Sequence, residues 1–433
     1  MTECIRPERW RELSGENKWK NLLDPLDSDL QKYLIHYGAM AQATNDTFDM
    51  DLLSKYVGSS KYSRKNMLSR VGLVKGNPYK YKVVKFIYAT SGITVPSSFI
   101  LKPVSEDTWL KYSNWMGYVA VATDEGKSAL GRRDILVAWR GTISPIEWMK
   151  DFEFPLVPAS KILGERGGHK AMVHQGFLSV YTSDNSRSKF NKQVHEIRYK
   201  IVNFASNLQV LSELKTLVEQ YKDEEISITV TGHSLGGALS VLNATDIVWN
   251  GHNKTGNKAC PVTAFVYGCP MAGDRNFRDM TETMKNLQFL RIRNLPDIVP
   301  TVPPPTVGYT PVGVELKIDS RKSRFLNPGD TYTWHSLEAA YLHTLAIQKG
   351  DKVERDIALV NKRTGALKPK NILSPLPGGV KRIRVWCKTM MALGNCVIMK
   401  WMRIEDEDDD DDDDDDPSIY ICICMYETII KWT

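Results

Sequence analysis

The hydrophobic pattern of the chain changes character near residue 75. Before it, polar stretches carry apolar positions at helical intervals, as in Leu26–Ala41 and Met50–Val57, which predicts a helical N-terminal part over 1–75. From about residue 80, Lys82–Tyr88, Trp115–Thr123 and Asp134–Trp139 are β-rich runs separated by polar turns, and each predicts a strand. A long amphipathic stretch, Arg187–Tyr221, places Val202, Ala205, Leu208 and Leu217 at helical spacing. Ile226–Thr231 follows as a buried strand, Leu235–Val248 as a helix, and Pro261–Tyr267 and Leu287–Arg293 as further strands. Strands alternating with helices predict an α/β fold with a mostly parallel central sheet over 76–373. No apolar run reaches the roughly 18 residues that a spanning helix needs.

Within this pattern, Gly232-His233-Ser234-Leu235-Gly236 falls between a strand and a helix. A lone Gly-x-Ser-x-Gly string is a weak signal, but at a sharp strand-to-helix turn it exposes a serine for nucleophilic attack. A serine hydroxyl needs a base to remove its proton and an acid to orient that base. In the α/β-hydrolase fold the chain order is Ser, then Asp or Glu, then His. Asp297, in Asn294-Leu295-Pro296-Asp297, directly follows the last strand and so stands at a strand's C-terminal end, where α/β sites lie. Asp274 and Asp330 compete for this role, although local capping explains them more simply. For the base, His335 stands just before an apolar helix, His343 lies inside it, and His252 precedes the acid. His335 is the favoured candidate.

Composition narrows the setting. Met1–Leu30 is polar and charged, lacking both the apolar core of a secretory signal and the Arg-rich look of a transit peptide, so the expected compartment is the cytosol. Seven scattered cysteines form no Cys-x-x-Cys pair, which argues for reduced thiols and against a zinc site. The net charge of +6 is uneven: residues 376–433 hold 7 Lys/Arg and 13 Asp/Glu, whereas the rest holds 50 and 38. A basic body suits transient contact with anionic lipid surfaces. Nucleic acid is the weaker reading, since neither an Arg-arrayed helix nor an aromatic RNA-binding motif is evident. A basic surface with no partner is the plainer alternative.

Taken together, Gly-His-Ser-Leu-Gly-Gly-Ala-Leu, the Asp297 segment and Val137-Ala-Trp-Arg-Gly-Thr142 resemble the class three (fungal-type) lipase family. The resemblance is strongest to the plant class II phospholipase A(1) group; Trp10–Tyr37, Gln175-Gly-Phe177 and Arg355-Asp-Ile-Ala-Leu-Val-Asn361 carry it further, over about 5–373. It implies an α/β-hydrolase fold with a nucleophile elbow and a lid. It also implies an oxyanion hole at Thr142 and Leu235, and hydrolysis of the sn-1 acyl ester of glycerophospholipids without metal or organic cofactor. The segment Ile143–Pro155 resembles the lid, with apolar Ile146, Trp148, Met149 and Phe152 among Glu147, Lys150 and Asp151. A lipid-facing flap gives that pattern, and so does a helix packed on the core. Rival functions are a neutral-lipid or galactolipid lipase, a general carboxylesterase, and, from another class, a catalytically silent lipid-binding protein.

Residues 374–433 depart from the family. Its ending, with Gly-Met-Val-Gln and then Asp-Gly-Ser-Trp, is missing. Single-codon residues show where it went. In the neighbouring reading frame Trp386-Cys387 must encode Val, Met390-Met391 Asp, Met391-Ala392 Gly, Asn395-Cys396 Leu, Met399-Lys400 Glu and Trp401-Met402 Asp. Against the alternative of a genuine acidic tail, disordered through the self-repulsion of Asp408–Asp416, the expectation is a frame-shifted, disordered acidic tail from about residue 374 onward. An intact single frame through the aspartates, with no family ending encoded beside it, would sink that reading.

Overall fold

A computed structural model describes residues 5–91, 93, 95, 99–100, 113–142, 155–168, 170–184, 206–323, 331–347, 385–387, 399–402 and 421–424. The chain divides into two units, Met1–Leu373 and Ser374–Thr433. In the second, Val385–Cys387, Met399–Met402 and Ile421–Cys424 pair as a three-stranded antiparallel sheet within the segment expected to be disordered.

The first unit is built on seven strands that lie in the sheet in the order of the sequence: β1 (Tyr81–Ala89), β2 (Asn114–Ala122), β3 (Arg133–Trp139), β4 (Ile226–His233), β5 (Val262–Tyr267), β6 (Leu287–Asn294) and β7 (Val314–Ile318). The first two joins are antiparallel, and β3 to β7 are parallel. Crossovers that all step the same way along a sheet, each right-handed, carry their helices to one face. Helices Ser206–Gln220 and Leu235–Trp249 and residue Phe277 of helix Arg275–Glu282 accordingly share one core with Val137, Val230 and Val266. Alternate residues of the same strands, Ala138, Phe265 and Ile292, face the other way and need a separate cover.

That cover is the N-terminal part. Helix α1 (Ser28–Thr47) starts where Asp27 caps the free N–H groups of Asp29 and Leu30, and it buries Leu30, Tyr33, Leu34, Tyr37 and Ala41 on the sheet. The segment Met50–Val57, expected as a helix, is instead a loop of nested turns. The Asp49 and Asp51 carboxylates and the Ser54 hydroxyl accept from the N–H groups of Asp51, Leu53 and Tyr56, offering the backbone an alternative to helical bonds. Among the described residues no helix is long and apolar enough to cross a membrane. Residues 143–154, with Ile146, Trp148, Met149 and Phe152, lie outside the described residues, as do 185–205.

Candidate active site

Strand β4 is buried along its whole length and delivers Ser234 to the C-terminal edge of the sheet. There the backbone turns through φ 58°, ψ −127°, a conformation that costs a non-glycine residue of order 1 kcal/mol or more. The turn is held because the Ser234 N–H donates to the Tyr267 carbonyl at 3.0 Å and the Ser234 carbonyl accepts from Gly237 at 2.9 Å. Glycine is required on both sides of it. A Cβ at 232 would stand 2.2 Å from the Gly236 carbonyl oxygen, and one at 236 would stand 2.3 Å from that of Trp139.

The same close approach brings the end of β3 beside the elbow. A Cβ on Gly141 would lie 2.8 Å from the His233 carbonyl oxygen and 3.5 Å from the Ser234 Cβ. The buried Arg140 guanidinium donates to the carbonyls of Gly141 (2.8 Å), Trp115 (3.1 Å) and Phe99 (3.1 Å), and lies 4.0 Å over the Phe48 ring. Because a trans peptide points its N–H opposite to its C=O, drawing the Gly141 carbonyl toward Arg140 turns the Thr142 N–H the other way.

Asp297 follows β6, and its Oδ1 accepts from the Val299 N–H at 2.9 Å. Its Oδ2 accepts from His335 Nδ1 at 2.7 Å and from the Tyr341 hydroxyl at 2.5 Å. A carboxylate only accepts, so Nδ1 carries the imidazole proton and Nε2 is left with a free lone pair. Asn294 at the end of β6 donates to the Trp334 carbonyl and the Ser320 hydroxyl, both at 2.9 Å, fixing the approach of the chain to His335.

His233, inside the elbow motif, supports the same imidazole from its other side. Its Nε2–H donates to the His335 carbonyl at 2.8 Å, and the two rings lie 4.5 Å apart. Burial, reinforced by the neighbouring His335, holds the His233 imidazole well below the usual histidine range, so it stays neutral. Around this site three buried side-chain atoms have no hydrogen-bond partner among the described residues: Ser234 Oγ, His335 Nε2 and Thr142 Oγ1. Buried polar atoms are rarely left unsatisfied, and reactive sites are where the exceptions occur.

The competing candidates are occupied elsewhere. Asp274 caps helix Arg275–Glu282 by accepting from the Phe277 N–H at 2.8 Å. His343 Nε2 is hydrogen-bonded to the Ser323 hydroxyl at 2.9 Å, and Asp330 lies outside the described residues. His335 ends a short helix, Thr331–His335, and the chain continues from it into a π-helical turn, Leu337–Leu342, rather than the expected ordinary helix.

A family model described as "Lipase (class 3)" matches residues 136–307. "Phospholipase A1-IIgamma" of Arabidopsis thaliana is 51% identical over 374 residues, covering 83% of this chain and 86% of its own length. The chain belongs to the class 3 lipase family. "Phospholipase A1-II 1" of Oryza sativa subsp. indica is 48% identical over 367 residues, covering 83% of this chain and 88% of its own. A solved triacylglyceride lipase of Rhizomucor miehei is 19% identical, with a TM-score of 0.42 over 68% of this chain and 82% of its own.

In this class 3 lipase, sequence reasoning overlooked Tyr341, His233, Arg140 and Asn294 as supports. Tyr341 stands six residues beyond His335, within the π turn, and its hydroxyl reaches back to Asp297. Burial and the Asp297 charge push the Tyr341 phenol well above its usual value, so it is a neutral donor throughout the working range. Tyr341→Phe removes one of three donors to the carboxylate. We expect kcat to fall about tenfold with little change in KM, as befits a lost charge-assisted hydrogen bond of roughly 1.5 kcal/mol. An unchanged kcat would make Tyr341 a packing residue only.

Proposed function

We propose that the chain is a phospholipase A(1): a serine esterase that releases the sn-1 fatty acid of glycerophospholipids through an acyl-enzyme. The observation that carries the chemistry is the pair of buried atoms Ser234 Oγ and His335 Nε2, unpartnered among the described residues, with Asp297 fixed on the far side of the same imidazole. His335 Nε2 takes the Ser234 proton as the serine oxygen bonds to the ester carbonyl carbon. Asp297 keeps the ring oriented and balances the imidazolium that forms. The N–H groups of Leu235 and Thr142, with the Thr142 hydroxyl, receive the oxyanion, each donor contributing roughly 3 kcal/mol. Arg140 serves this step indirectly, by holding the Gly141–Thr142 peptide in the donating orientation.

The tetrahedral adduct collapses by expelling the lysophospholipid alkoxide, which takes the proton from His335. Water then enters, gives its proton to His335 and releases the fatty acid from Ser234. We assign residues 143–155 as the lid, in which Ile146, Trp148, Met149 and Phe152 turn to lipid on opening. The substrate class follows the relatives named phospholipase A1, and the expected setting is a membrane surface facing the cytosol, which suits the free buried thiols Cys260 and Cys269.

Phosphatidylcholine carrying different labelled chains at sn-1 and sn-2 tests the reading. The expected products are sn-1 fatty acid and 2-acyl lysophosphatidylcholine. Label released only from sn-2 sinks the regiospecificity, and faster turnover of triacylglycerol than of phospholipid makes the enzyme a neutral-lipid lipase.

A further inference from the structure

The edge of the sheet that presents Ser234 is bordered by apolar side chains that the core does not take up. On one border, the loop between α1 and β1 leaves Leu53 93% exposed, with Met50, Leu52 and Tyr56 exposed beside it. Contiguous exposed apolar side chains mark interaction surfaces, and these stand on a loop framed by its own hydrogen bonds. The Asp49 carboxylate accepts from the Asp51 N–H at 3.1 Å and from the Ser54 hydroxyl at 2.7 Å. The Asp51 carboxylate accepts from the Leu53 N–H at 2.9 Å, and the Gly58 N–H closes the loop on the Asp49 carbonyl at 2.9 Å.

The loop is tied to the catalytic edge. The Gly58 carbonyl accepts from the Trp115 N–H at 2.8 Å; Gly117, two residues on, pairs with Trp139, and Trp139 pairs with Gly232 of the elbow. Phe48, at the base of the loop, lies beneath the Arg140 guanidinium. On the other border, Leu295 and Ile298 are exposed on either side of Asp297. Strand β4 with its nucleophile stands between the two borders.

Charge distinguishes the loop border. Lys55 sits within the apolar tip and Lys61 at the base of the loop, where its ammonium donates to the Asp46 carbonyl at 3.3 Å, and the acids within the loop, Asp49 and Asp51, are spent on the turn itself. Lys55 extends over the Tyr56 ring at 4.9 Å, its stem lying along apolar surface. An apolar tip flanked by lysines is complementary to the headgroup boundary of an anionic bilayer.

We propose that the loop 49–58 is a membrane-docking prong. Leu53, with Leu52 and Tyr56, enters the boundary between headgroups and acyl chains, Lys55 and Lys61 meet anionic headgroups, and the Ser234 edge is thereby set against the bilayer. This rests on the phospholipid reading above, because it explains how a buried site meets a lipid held in a membrane.

The full chain carrying Ser234→Ala binds without hydrolysing, so vesicle partition can be read apart from turnover. On vesicles of phosphatidylcholine, alone or mixed with phosphatidylglycerol, adding Leu53→Asp should lower partition about ten- to a hundredfold, the loss expected for one buried leucine. Lys55→Glu with Lys61→Glu should lower it on the mixed vesicles only, and high salt should erase that difference. With Ser234 intact, Leu53→Asp should slow vesicle hydrolysis while leaving kcat/KM for a dissolved short-chain ester unchanged. Unchanged partition overturns the proposal and leaves the loop to a protein partner. An equal loss on the dissolved ester overturns it too, since the loop would then be part of the site's framework. Should sn-1 chains not be released although the prong binds, the substrate reading fails and the docking surface stands.

Discussion

Ser234→Ala is expected to lower kcat by about 10⁵–10⁶-fold while leaving the protein as stable as before, or slightly more so. The loss is large because the members of a serine triad act as a unit, and what survives comes from the oxyanion donors and substrate binding alone. The stability follows from a different feature of the same residue. Ser234 Oγ is buried without a hydrogen-bond partner among the described residues, so the folded state carries the unmet desolvation of one hydroxyl, about 1–3 kcal/mol. Alanine removes that penalty and keeps the strained φ of 58°. Ser234→Gly should stabilise further, because glycine adopts a positive φ without steric cost. The check pairs lipid turnover with thermal unfolding on the same preparations. Retained activity within tenfold of the parent ends the nucleophile assignment. A Tm lowered by several degrees would mean that the hydroxyl has a partner that matters for folding.

Legibility of the fold in the sequence divides along one physical line. Strands β1 to β6 are readable because each is a dense β-branched and aromatic run bounded by polar turns, and the central ones are buried on both faces. The seventh, Val314–Ile318, lies at the edge of the sheet with Lys317 exposed, and its short alternating pattern is hard to tell from a loop. Met50–Val57 misleads in the opposite direction: its apolar spacing is helical, but Asp49, Asp51 and Ser54 satisfy the backbone locally, and the apolar side chains end in solvent.

The candidate site shows the same division. Ser234 and Asp297 are visible because each is anchored to a strand end, where spacing along the chain translates directly into place. His335 comes from a loop, so only chain order and the absence of better histidines point to it; the 2.7 Å contact with Asp297 depends on tertiary packing. Tyr341 and His233 could not be found from spacing. One reaches Asp297 through a π turn, and the other acts on the His335 carbonyl from 102 residues away.

The buried pair Arg132–Asp134 should prove the most sensitive point for stability outside the site, with single substitutions costing about 3–5 kcal/mol. Both side chains are wholly buried at the end of the sheet opposite Ser234, their charged atoms 3.4 Å apart. Arg132 donates to Ser227 Oγ at 2.9 Å, to the Leu130 carbonyl at 3.1 Å, to Tyr37 at 2.9 Å and to Tyr33. Asp134 accepts from Ser227 at 2.5 Å, Tyr81 at 2.6 Å, Thr229 at 2.7 Å and Tyr37 at 2.9 Å. Burial raises all three phenols above their usual value, so they remain neutral donors and leave the ionic balance to this pair. Arg132→Met therefore strands a carboxylate in the core, and Asp134→Leu strands a guanidinium. The damage should spread, because Tyr33 and Tyr37 belong to α1, and loosening α1 uncovers the face lined by Ala138, Phe265 and Ile292. Earlier urea unfolding and faster proteolysis between residues 1 and 75 are the expected signs. The double substitution should cost less than the sum of the singles by roughly 2 kcal/mol or more, since it leaves no lone buried charge. Strictly additive singles would show that the two charges are solvated independently, and that α1 is held by its apolar face alone.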